Sequence, residues 1–128
     1  MGSYSDEIKI NVEAAITSLQ TAKGMLRQGE LEAAAARAAE SAFHTGRALL
    51  LDESIESDSH GDVISLIHER FVNERKLTKE QGANLSWLFA MRAAEERPAS
   101  MRLTWEDAHR AVQIAESFFE AAKVILEA

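Results

Sequence analysis

Arg92 is the residue whose type and place first call for a chemical reading. At about 100° per helical residue, setting Leu85 at 0° puts Leu88 near about 300°, Phe89 near about 40° and Arg92 near about 340°. The wheel therefore aims a guanidinium into an apolar face. A guanidinium cannot shed its proton, so such a place demands a carboxylate or carbonyl partner, or an opening to a cleft. Glu96, about one turn further along, is the candidate carboxylate. In a cleft, Arg92 could grip a phosphate through two parallel N–H donors. A plainer reading lays its stem on the core and sends its head out to water.

The remaining candidates cluster on one earlier stretch. Arg37, Glu40, Ser41, His44 and Arg47 recur at spacings of three and four, which gathers them on one helical stripe. That stripe lies roughly opposite Ala38, Ala42 and Gly46. Its ordinary reading is a solvated face; the alternative is a polar cleft where Arg37, His44 and Arg47 meet an anion. Arg37…His44 and Arg102…His109 share one spacing, but four histidines among this many arginines produce such pairs by chance. His60 is assigned to the loop before a third helix, where it caps or packs that loop. His68, beside Glu69 and Arg70, is placed on a solvated face. The histidines show no HExxH or comparable spacing, and the chain has no cysteine. No metal site and no cofactor is expected. Trp87, near about 200° on the same wheel, is either an outward interface anchor or packed beneath a neighbour. Of the adjacent Phe118 and Phe119, one can fill the core while the other faces a partner, or a helix can wrap both.

These residues must be held by helices. The 128 residues suit one domain; six Gly and one Pro are too few for a turn-rich β fold, and 46% are hydrophobic. Apolar residues recur with helical spacing over about 6–27, 30–51, 61–74, 77–98 and 105–126. Ser5 is the expected cap of the first helix, Gly29 the left-handed stop after it, and Thr78 with Gln81 a capping box for the fourth. Thr104 with Asp107 makes a weaker cap for the fifth. Short connections fold such helices back antiparallel. The expectation is an all-α, antiparallel, up-and-down bundle of four to five helices in one domain spanning 1–128. The absence of a long apolar run or a secretory leader points to a cytoplasmic, non-membrane protein. A net charge of −7 argues against gripping nucleic acid by its backbone and leaves room only for a local basic cleft. Residues 51–62, with five carboxylates and no Lys or Arg, would repel phosphate.

From the second helix onward the chain resembles the short, stand-alone prokaryotic branch of the HEPN (higher eukaryotes and prokaryotes nucleotide-binding) domains. The likeness rests on Ala36 to Leu50 (ARAAESAFHTGRALL), on Ser59 to Ile64 (SHGDVI) with Phe71, Val72 and Leu77, and on Leu85, Leu88, Phe89 and Arg92. Thr104, Glu106 to Ala108 and Ala115 to Phe118 complete it, so that it covers about 30–126. It implies a homodimer, often paired with a minimal nucleotidyltransferase in toxin–antitoxin systems. It also implies, for many members, a metal-independent ribonuclease in which an Arg near the end of the fourth helix is followed after four to six residues by His. Arg92 fits that arginine. Arg97, Pro98 and Ala99 occupy the positions where the histidine should stand, and neither a guanidinium nor a nearby carboxylate simply replaces an imidazole near neutral pH. The sequence therefore favours a catalytically silent interaction module. The alternatives are a ribonuclease using Arg92 with His44 or His60, and a nucleotide or small-anion binder without chemistry.

Overall fold

The computed structural model describes residues 4–128. It is all helical, with α1 at Ser5–Arg27, α2 at Leu31–Asp52, α3 at His60–Ile67, α4 at Lys79–Phe89 and α5 at Trp105–Glu127. A π-helical turn, His68–Val72, extends α3, and a 3₁₀ segment, Ala90–Glu96, extends α4. No helix is long and apolar enough to cross a membrane.

α2 is the axis of the molecule and touches α1, α3, α4, α5 and the 3₁₀ segment. Its composition permits this. Ala34, Ala35, Ala38, Ala42, Ala48, Leu49 and Leu50 are fully buried, and small side chains let neighbouring backbones approach along the i±4 ridge. At Gly46 a Cβ would lie 2.8 Å from Cγ1 of Val63, so α3 packs where only glycine fits. Ser41 and Thr45 are buried too, and each satisfies its hydroxyl on a carbonyl: Ser41 Oγ donates to Ala15 O at 2.8 Å, Thr45 Oγ1 to Ser41 O at 3.0 Å. Phe71, Ile67, Leu85 and Leu88 complete the fully buried centre.

The turn chemistry follows the sequence in most places. Gly29 takes φ +78°, closing α1 onto α2. Thr78 and Gln81 form the reciprocal capping box, and Thr104 Oγ1 accepts from the Asp107 N–H. Three expectations are corrected. Ser5 is not a cap but the first residue of α1, preceded by Tyr4. Ser59 caps α3 through the Asp62 N–H at 3.0 Å, which moves His60 from the loop onto the helix. Regular α-helix stops at Phe89 rather than running to Pro98, and Leu88, Met91 and Ala94 are buried at intervals of three, the period of a 3₁₀ helix. Pro98 then holds Arg97 extended at ψ 142°.

Candidate functional site

The 3₁₀ geometry changes where Arg92 points. Three residues per turn place it over Phe89, and its Nη1 donates to the Phe89 carbonyl at 3.0 Å. Arg92 is exposed rather than sunk in the seam between helices. Glu96 is not its ion-pair partner. The wheel erred because it assumed 100° per residue through a segment that turns by about 120°.

Arg92 opens into a cavity of about 310 Å³ shared with Ala36, Arg37 and Glu40 of α2, His60 of α3, and Ala93 and Glu96 of the 3₁₀ segment. Ala36 and Ala93 make room for the longer side chains. Arg37 Nη1 reaches Glu40 Oε1 at 3.4 Å, both half-exposed, so this pair is weak and solvent-screened. Two guanidinium and two carboxylate groups line the space, with one imidazole between them.

Phe43 holds that imidazole. The His60 ring stacks on Phe43 with centroids 4.1 Å apart and planes 18° from parallel, and Phe89 meets it edge-on at 6.3 Å. Stacking fixes the ring plane and leaves the nitrogens at its edge. Partial burial lowers the His60 pKa from its ordinary value, and the charge of Arg92 lowers it further, against an opposing pull from Glu40. His60 is accordingly neutral near pH 7.

The other α2 candidates, His44 and Arg47, do not line this cavity. His44 Nδ1 lies 3.0 Å from Asn11 Oδ1, while Asn11 Nδ2 donates to Glu7 O at 2.9 Å. The Asn11 oxygen is thus the acceptor, so His44 carries its proton on Nδ1 and leaves Nε2 as the basic nitrogen. Burial, followed by Arg47 and His60, lowers its pKa, with Glu40 opposing. Arg47 pairs with Asp58 at 3.3 Å and lies 5.8 Å from the Phe43 ring centre. The polar stripe is only partly solvated: Ser41 is buried, while Arg37, Glu40, His44 and Arg47 each keep part of their surface exposed. His44 and Arg47 do not join Arg37 in lining the cavity around Arg92.

The interface candidates also change. Phe118 and Phe119 are both buried within the monomer, so neither ring faces outward. Trp87 is half-buried beneath Arg110, whose guanidinium carbon lies 4.1 Å from its ring centre. His68 is tied to Ser86 Oγ at 2.9 Å instead of standing in solvent.

Two contributors were overlooked in the sequence. Asn11 is buried at four residues before Ala15, a spacing that placed it on the apolar stripe of α1 and could have singled it out. Phe43, the ring that gathers His44, Arg47 and His60, gives no comparable signal, because adjacency to His44 says nothing of His60.

Among the described residues, no group of three acidic or histidine side chains could hold a metal ion. Comparison with known proteins adds two findings. A family model described as the HEPN domain matches residues 8–125, which includes α1 as well as the stretches already noted. A Methanocaldococcus jannaschii protein named "Putative toxin MJ0605" is 28% identical over 122 residues, covering 95% of this chain and 90% of that protein.

Proposed function

Because the chain belongs to the HEPN family, we propose that it is a toxin-type, metal-independent endoribonuclease that uses the cavity around Arg92 and His60. The observation that carries this reading is the convergence of Arg37, His60 and Arg92 on one cavity, with Arg92 held by a carbonyl rather than neutralised by Glu96. On this reading His60, from another helix, would supply the imidazole missing from positions 97–99.

Arg92 and Arg37 would hold the non-bridging oxygens of an RNA phosphodiester, Arg37 releasing its weak hold on Glu40. Neutral His60 takes the proton of the adjacent ribose 2′-hydroxyl. The 2′-oxygen then attacks phosphorus and the bond to the 5′-oxygen breaks, that oxygen taking a proton from water at the open mouth. The products are a 2′,3′-cyclic phosphate and a 5′-hydroxyl. No metal enters this chemistry.

Purified protein incubated with structured RNA should yield fragments ending in cyclic phosphate. Arg92→Ala and His60→Asn should each reduce the rate by at least about 100-fold, as losing a positioned general base or a charge clamp does, with circular dichroism unchanged. Cleavage that persists in both variants would remove the assignment.

A second reading rests on the charge count: two Glu oppose two Arg in the cavity, and the chain carries −7 overall. On it the protein is a silent HEPN homodimer that binds a nucleotidyltransferase. RNA left intact by the wild-type protein would favour that module.

A further inference from the structure

A second cavity, of about 390 Å³, lies between α4 and α5 and shares no lining residue with the first. Leu85 and Phe118 give it an apolar floor, and Gln81, Asn84, Arg110 and Gln113 form its rim. This lies within the size range of ligand sites, and an apolar base with a few converging polar groups is their usual make-up. In a chain with 21 acidic residues, no carboxylate lines it.

The rim is oriented. The Gln81 Oε1 is occupied by the Thr78 N–H at 2.7 Å as part of the capping box, so the Gln81 amide nitrogen is the group left to a ligand. Arg110 sits over Trp87, its guanidinium carbon 4.1 Å from the ring centre, and donates to Asn84 Oδ1 only at 3.5 Å, which leaves its N–H groups weakly engaged. Gln113 is exposed and offers both an acceptor and a donor. Carboxamides beside a stacked arginine match the edge and face of a planar heterocycle, and the unopposed positive charge suits an attached phosphate.

We propose that this α4–α5 cavity binds a nucleotide base together with its phosphate, as a free nucleotide or as an unpaired nucleotide of RNA. Its use in selecting RNA for cleavage rests on the ribonuclease reading above; binding itself does not.

The test uses the full chain carrying Trp105→Phe, which leaves Trp87 as its one tryptophan. Adenosine 5′-monophosphate, and separately a short oligoadenylate, is titrated against Trp87 fluorescence. A saturable change is expected with either, the oligoadenylate binding more tightly if neighbouring phosphates contribute. Gln113→Glu, an exposed change that adds a carboxylate to the rim, and Arg110→Ala should each weaken binding at least about tenfold, the factor carried by about 1.4 kcal/mol. Leu66→Ala, on α3 and outside both cavities, should leave adenosine 5′-monophosphate binding unchanged. The absence of a saturable signal, or equal binding in both rim variants, overturns the site. RNA left uncut while the nucleotide binds and the rim variants lose it would sink the ribonuclease reading and uphold this one.

Discussion

His60 works, on the ribonuclease reading, only in its neutral form, and burial together with Arg92 lowers its pKa. The sign of the pH dependence follows. A free imidazole gains its proton near pH 6.5; a depressed one gains it at lower pH. Activity that needs neutral His60 should therefore persist as pH falls through the ordinary imidazole range and fail only in more acid solution. The acid limb of kcat/KM against pH reports this for the free enzyme. A limb at or above the ordinary value would exclude His60 as the base. Arg92 can be separated from the chemistry by a measurement that needs no turnover. In Arg92→Gln the His60 ring, followed by NMR, should titrate closer to its ordinary value, because one of the two groups of forces depressing it has been removed. A variant with an unmoved titration would mean that burial alone sets this histidine.

At the scale of the helices, the cavity exists because α2 can be approached from every side, and Gly46 is where that approach is tightest. A methyl group there would sit 2.8 Å from Val63 and 3.5 Å from Ile67, both buried. Alanine is about 1 kcal/mol better than glycine inside a helix, but overpacking a closed core costs about 1–3 kcal/mol. Gly46→Ala should therefore lower stability to urea despite its better propensity, whereas Gly61→Ala, with nothing within 4 Å of the added carbon, should be neutral or stabilising. Loss in both, or in neither, would show that packing at 46 is not limiting. The same element explains what could be read beforehand. Ala34, Ala38, Ala42 and Gly46 repeat every four residues, and Thr78 with Gln81 and Thr104 with Asp107 announce their helix starts, so the bundle was legible from spacing and capping alone. The 3₁₀ segment was not. Residues 90–96 are Ala, Met, Arg and Glu, all good α formers, and nothing in them signals the tighter turn that carries Arg92 out of the seam. His60 was misplaced for a smaller reason: Ser59, not a later residue, supplies the cap.

The whole molecule sets a limit on how RNA can be held. With −7 overall and an acidic stretch at 51–62, its long-range field repels a polyanion, so affinity must come from a few close contacts. Each phosphate neutralised releases counterions, and for single strands log K falls with log salt by about 0.7 per contact. If Arg37 and Arg92 are the main phosphate contacts, the slope of RNA binding should be about −1.4; Arg110 in the second cavity would add one contact and bring it near −2. Fluorescence anisotropy of labelled RNA at several salt concentrations measures this directly. Arg110→Ala should flatten the slope by about one contact's worth, and Arg37→Ala by the same amount, since each removes a single cation. General repulsion works in the opposite sense, because added salt screens it. Binding that strengthens with salt would therefore mean that the field of the whole chain outweighs the arginines, and would favour a protein partner over RNA. A slope steeper than −4 would require a basic surface that this sequence, with 14 basic against 21 acidic residues, does not offer within one copy, and would point to cations contributed by a second.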